Sequence, residues 1–183
     1  MIRVILIGFM GAVKTTVGKA LGKALGVTFY DLDWYIETRM RKTVKQIFDE
    51  QGEEGFRKME HNMLHEVAEF ENVVISCGGG TPCFYDNMDY LNQQGDTVYL
   101  KASPEVLYKH LKMAKGVRPL LLNKTPEEVQ VYIREELNRR EQFYGKAKHI
   151  LDIDVMDSLD KIQFFVEEIK KALKDKQDEK MDD

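Results

Sequence analysis

Cysteine is scarce in this chain: Cys77 and Cys83 are the only two among 183 residues. Two cysteines cannot staple a disulfide framework or complete a cysteine zinc site. They read as reduced thiols, which points to the cytoplasm. No apolar run approaches the ~18 residues of a membrane span, so no membrane partner is expected. The apolar first thirteen residues, interrupted by Arg3, resemble an export signal only superficially, because Lys14 follows without a cleavage site. Excess positive charge is also missing: the net charge of −4 gives no ground for general nucleic-acid binding. Histidine is limited to His61, His65, His110 and His149. These suggest no metal constellation. His61 and His65 lie four apart on a helix, but they lack the glutamate and third ligand of a zinc protease. Nothing repeats at a solenoid period. What remains, 43% hydrophobic and 32% charged, describes one soluble globular domain with a sizeable core.

The chain does contain a glycine loop with a lysine. Residues 8 to 16 read Gly-Phe-Met-Gly-Ala-Val-Lys-Thr-Thr, a phosphate-binding G-x-x-x-x-G-K-[ST] pattern in which Val13 stands where glycine belongs. The β-branched run Ile2 to Ile7 precedes it as a buried strand. Val17, Ala20, Leu21, Ala24 and Leu25 follow at helical spacing, with Gly26 as a stop. Strand, turn and helix form the context that such a loop requires. The residues Gly11, Ala12, Val13, Lys14, Thr15 and Thr16 would hold the phosphates of ATP at a helix N-terminus. Lys14 would reach the β- and γ-phosphates and the Thr15 hydroxyl would bind Mg²⁺. Valine adds two methyls and is stiff at χ1, and a left-handed non-glycine residue costs about 1–2 kcal/mol. Three readings of Val13 stay open. The loop adopts a valine-compatible conformation and works, it binds nucleotide weakly, or the substitution impairs activity.

Strand-like runs recur at Val27–Tyr30, Asn72–Ser76, Thr97–Leu100 and, more weakly, His149–Leu151. Helix starts are marked by Ser103-Pro104, by capping boxes at Thr43/Gln46 and Thr125/Glu128, and by Ser158. This alternation predicts an α/β fold with a parallel sheet. One domain is expected over residues 1–173, with a helical insertion at 34–70, a basic lid at 112–124 and a disordered charged tail at 174–183.

Several residues outside the loop carry chemistry. Asp31 and Asp33 follow the second strand, whose C-terminal end faces the ligand crevice of a parallel sheet. One can hold a Mg²⁺ water and the other can face a second substrate. Arg57, on the insertion, could clamp a carboxylate or phosphate. Gly78, Gly79 and Gly80 make sense where a ligand approaches the main chain, with a plain tight turn as the alternative. Arg118, in the basic loop, would deliver a cation as a lid closes. Arg139 and Arg140 offer another anion clamp, with helix-dipole complementarity as the alternative.

Together these segments resemble the shikimate kinase family of the nucleoside-monophosphate-kinase-like P-loop group. The resemblance runs from Ile2 to about Tyr144 and carries the phosphate loop, Asp31-x-Asp33, Phe56-Arg57, the triple glycine, Val117-Arg118-Pro119 and Arg140-x-x-x-Tyr144 in the family's order. It implies a three-layer α/β/α fold, with a mostly parallel sheet of about five strands. It also implies a monomer in the cytoplasm that transfers the ATP γ-phosphoryl group to the 3-hydroxyl of shikimate. By that resemblance Thr15 ligates Mg²⁺ and Asp31 holds it through water. Asp33 binds substrate hydroxyls and takes the proton. Arg57 and Arg140 grip the carboxylate, with Gly78, Gly79 and Gly80 lining it and Glu60 positioning Arg57. Lys14 and Arg118 stabilise the transferring group. Val13 departs from the family, and the segment Asp154 to Asp157 lacks features that would assign an adenine contact. The competing readings are a gluconate-type kinase and a non-catalytic module whose phosphate loop Val13 has impaired.

Overall fold

A computed structural model describes residues 1–114 and 123–179, with side chains through residue 175. Within these residues, strands β1 (Arg3–Ile7), β2 (Thr28–Asp31), β3 (Val73–Ser76), β4 (Asp96–Ala102) and β5 (His149–Ile153) form one parallel sheet in the order β2-β3-β1-β4-β5. The central strands β1 and β3 are buried almost throughout, as expected of apolar runs covered on both faces.

The helices are α1 (Lys14–Leu25), α2 (Leu32–Met40), α3 (Val44–Ala68), α4 (Asn87–Gln94), α5 (Pro104–Met113), α6 (Pro126–Tyr144) and α7 (Leu159–Glu179). They complete a three-layer α/β/α architecture, with α1 against α7 and α5 against α6. Both capping boxes form. Thr43 and Gln46 exchange bonds at the start of α3, and Thr125 and Glu128 do so at the start of α6. Each N-cap contributes about 1 kcal/mol. Inside α3, Gly52 has φ 71°, a left-handed value that breaks the helix into two pieces. The piece after the break carries Arg57 and Glu60.

Two elements differ from the sequence reading. Helix α4 is unanticipated. Only Met88 and Leu91 mark its apolar side, while Asn87 is buried among polar partners, too short a pattern to signal a helix. Helix α7 continues to Glu179, into the segment expected to be disordered from residue 174. Its core residues Phe165, Val166 and Ile169 are buried. Extending a nucleated helix through Lys, Asp and Gln costs far less than starting one. Residues 115–122, the centre of the expected lid, lie outside the described residues, and so does Arg118.

The register positions the site. Leu6 of β1 and Asp31 of β2 both pair with Ser76 of β3. The three strands therefore end level. Their C-terminal ends bring the loop after β1, the Asp31 carboxylate and the glycines after β3 to one edge of the sheet.

Candidate active site

A cleft of about 470 Å³ opens at this edge, lined among others by Gly11, Val13, Lys14, Thr15, Asp33 and Gly79. Thr16, Asp31 and Gly78 also line it. Ala12 does not: its side chain is fully buried in the core and its N–H donates to the Phe9 carbonyl.

Val13 adopts φ 52° and ψ 27°, the left-handed conformation that glycine would take in its place. The loop therefore does not move to a region that suits valine, and a β-branched residue there is an outlier. The Val13 carbonyl accepts the Val17 N–H at 3.0 Å, and its side chain packs against the core. These contacts hold the strained residue. Lys14 is only 9% exposed, and its Nζ donates to the Gly8 and Phe9 carbonyls at 2.8 and 3.0 Å. The ammonium is thereby parked across the mouth of the loop.

Thr15 and Asp31 meet directly. The Thr15 hydroxyl donates to Asp31 Oδ2 at 2.7 Å. Asp31 Oδ1 accepts the N–H groups of Asp33 and Trp34, capping α2. Asp31 thus caps α2 and bonds the phosphate loop at once. Asp33 lies one residue into α2. Burial, followed by the charges of Asp31 and Glu60, raises its pKa from 3.8 to about 6, against the opposing pull of Lys14.

The glycine triplet owes its composition to space. None of its three residues is among those with positive φ. A Cβ on Gly80 would lie 2.6 Å from Arg57 Nη2, and one on Gly79 would lie 3.4 Å from Arg140 Nη1. A Cβ on Gly78 would meet Glu60 and Asp33 oxygens at 3.3 and 3.4 Å. The two arginines and two carboxylates crowd against bare backbone. The triplet also turns the chain, because Thr81 N–H bonds the Gly78 carbonyl and Cys83 N–H bonds that of Gly80.

Each arginine is held by a carboxylate. Arg57 Nη1 donates to Glu60 Oε1 at 2.8 Å, and its guanidinium lies over the Phe84 ring at 4.2 Å. Glu60 is 1% exposed, and its other oxygen accepts the Thr81 hydroxyl. Arg140 donates to Glu136 Oε2 at 2.8 Å. Burial opposes ionisation of Glu136, yet hydrogen bonds and charge from Arg139 and Arg140 hold its pKa below the usual range. Arg139 itself stays exposed on the outer side. The buried Tyr144 hydroxyl bonds the Gly79 carbonyl, tying α6 to the triplet.

Thr81, Phe84, Glu136 and His110 join the site without a role expected from the sequence. The Glu136/Arg140 spacing of four was a readable signal for one of them. His110 had none. Its Nε2 accepts the Met156 N–H at 2.8 Å, so the proton sits on Nδ1, which donates to the Gly11 carbonyl at 2.7 Å. His110 thereby ties the phosphate loop to the segment after β5. Met156 lines the cleft beside it, although no nucleotide contact was assigned to that segment.

Comparison with known proteins places this geometry in context. A family model described as shikimate kinase matches residues 10–174. A shikimate kinase of Phocaeicola vulgatus is 54% identical over 173 residues, covering 94% of this chain and 99% of the relative. The crystal structure of a shikimate kinase from Bacteroides thetaiotaomicron superposes with a TM-score of 0.92 at 50% identity, covering 94% of this chain and 98% of that one. A shikimate kinase from Acinetobacter baumannii, solved in complex with shikimate, superposes with a TM-score of 0.81 at 32% identity over 93% of this chain and 94% of that one.

Proposed function

The chain belongs to the shikimate kinase family, and from that premise we propose how its own residues divide the work. The enzyme is an ATP-dependent kinase that transfers the γ-phosphoryl group to the 3-hydroxyl of shikimate, giving shikimate 3-phosphate and ADP. One observation carries the assignment of roles: Asp33 shares a cleft with the phosphate loop, Gly79 of that cleft backs onto Arg140, and the next residue, Gly80, backs onto Arg57. A small hydroxylated carboxylate needs this complement of one base and two cations.

Lys14 leaves the Gly8 and Phe9 carbonyls for the incoming phosphates and stays with the γ-phosphoryl group during transfer. Arg57 and Arg140 orient the shikimate carboxylate, each pre-set by its own glutamate. Asp33 accepts the proton of the attacking hydroxyl. That oxygen bonds the γ-phosphorus, the bond from phosphorus to the β–γ bridging oxygen breaks, and its electron pair leaves on ADP. A base with a pKa near 6 suits this task at neutral pH, being ionised yet proton-seeking. Thr15 and Asp31 fit Mg²⁺, because two oxygens 2.7 Å apart beside the phosphate loop are the hard donors that ion takes. When bound, Mg²⁺ offsets phosphate charge. The family motif assigns Arg118, which lies outside the described residues, as a second cation on the transferring group. Cys77 and Cys83 are both free thiols, which supports a reducing compartment such as the cytoplasm.

Coupled ADP release, measured with and without shikimate at millimolar ATP, tests the activity. Shikimate-dependent release is expected, and its absence would return the protein to the class of non-catalytic binders. Gly80→Ala tests the clamp. Gly80 has φ −86°, which alanine accepts, so the new methyl acts by pushing Arg57 aside. A displaced charge-assisted contact of about 1.5–3 kcal/mol predicts a shikimate KM about 10-fold or more higher, with ATP KM unchanged. An unchanged shikimate KM would detach Arg57 from substrate binding.

A further inference from the structure

We propose that His61, His65 and Asp86 form a binding site for one divalent transition-metal ion, separate from the nucleotide cleft. Each residue places one ligand atom within 4.8 Å of the others. None of the three lines the cleft. The two histidines stand four apart on α3, and Asp86 arrives from the segment before α4.

Three observations prepare these groups for a metal. Asn87 Nδ2 donates to the Thr81 carbonyl, which fixes its amide, so Asn87 Oδ1 faces His61 Nδ1 at 2.6 Å as an acceptor. The His61 proton is therefore on Nδ1 and the lone pair is on Nε2, the arrangement by which an outer partner orients a metal-binding imidazole. His65 Nε2 is buried with no hydrogen-bond partner, while its ring lies flat on Tyr90 at 3.6 Å. Asp86 occupies the N-cap position of α4, yet its side chain makes no cap hydrogen bond. An aspartate there ordinarily accepts a helix N–H; this one is near the two imidazoles instead.

Two nitrogens and one carboxylate oxygen suit a borderline ion such as Zn²⁺ rather than Mg²⁺. Tetrahedral bonds of about 2.0–2.2 Å put ligand atoms about 3.4 Å apart, and rotation of the exposed Asp86 side chain narrows the gap. A bound ion would tie α3 to the start of α4. It would also sit at the end of a hydrogen-bonded chain that runs from His61 through Asn87, Thr81 and Glu60 to Arg57.

The test is a Zn²⁺ titration of the full chain against a chromophoric chelator, with saturating Mg²⁺ and ATP to cover the cleft. It is repeated with Co²⁺, whose visible absorption reports nitrogen ligation. One equivalent is expected. Affinity should fall about 10-fold or more in His65→Gln and in Asp86→Asn, with loss of the Co²⁺ band in His61→Gln. His149→Gln should bind as the parent does. Equal affinity in the parent and in Asp86→Asn, or no saturable Zn²⁺ binding at 100 μM, which is about the weak end for such a site, would overturn the proposal. Asp86→Asn keeps the test decisive should a histidine variant unfold, because the Asp86 side chain is exposed and makes no cap hydrogen bond.

Discussion

Asp33→Asn is expected to lower turnover by about 10²–10⁴-fold, the range ascribed to a positioned general base, with ATP binding retained. The same change should stabilise the unliganded protein. The sign follows from the raised pKa. Folded Asp33 holds its proton to about pH 6, whereas an unfolded aspartate releases it near 3.8. The folded state therefore binds more protons between these values, and stability falls as pH rises through them. Above pH 6 the full cost is present, at most about 3 kcal/mol for two units and about 1–2 kcal/mol for a carboxylate open to the cleft. Asparagine never ionises and escapes it. Denaturant melts of both proteins from pH 3.5 to 8 check this. The variant's advantage should appear above pH 4 and level off above 6. A gap that does not vary with pH would mean that ionisation of Asp33 is not its source. In the parent, kcat/KM for shikimate should fall below about pH 6 with the slope of one proton. Near-normal turnover in Asp33→Asn would remove Asp33 from the mechanism.

Val13→Gly should tighten ATP and leave shikimate affinity unchanged, because Val13 lines the cleft at the phosphate loop, whereas the arginine clamp is built against Gly79 and Gly80. Two effects must be separated. The left-handed backbone of Val13 costs about 1–2 kcal/mol, but that strain is present with and without nucleotide if the loop does not move, and then cancels from binding. Only crowding of phosphate by the valine methyls changes affinity. Relief of about 1.4 kcal/mol of crowding would lower the ATP dissociation constant about 10-fold. Stability should move little. Removed strain is offset by the roughly 0.5–1 kcal/mol entropy cost of glycine and by lost side-chain packing. Calorimetric titration of both proteins with ATP and with shikimate, alongside thermal melts, distinguishes the outcomes. Equal ATP affinity would show that the loop accommodates valine.

These two residues also show what could be read early. The phosphate loop, Asp31-x-Asp33 and the triple glycine are contiguous, and their chemistry is carried by residue type at fixed spacing. Their positions on strand ends followed from the strand–helix alternation, so fold class and nucleotide chemistry were legible before any coordinates. Glu60 is assigned through family resemblance, although its spacing of three from Arg57 is also a local signal. Its physical reason, a buried carboxylate shared by Arg57 and Thr81, joins residues 21 apart in sequence. His110 and Gly11 are 99 apart, and no local pattern records such a pair.

The sequence by itself determined that this chain carries a phosphate-loop pattern between a strand and a helix and an aspartate pair after the second strand, because backbone shape and side-chain charge are local properties. It also determined that residue 13 would be out of place. Tertiary structure decided the rest. It kept Val13 in the left-handed turn, because the Val17 bond and core packing hold it there. It made the glycine triplet a bed for two arginines, because helices distant in sequence press their guanidinium groups against it. It raised the Asp33 pKa, because burial and the distant Glu60 carboxylate meet it only in the folded chain. And it brought Asp86 to two histidines that, along the chain alone, had lacked a third partner.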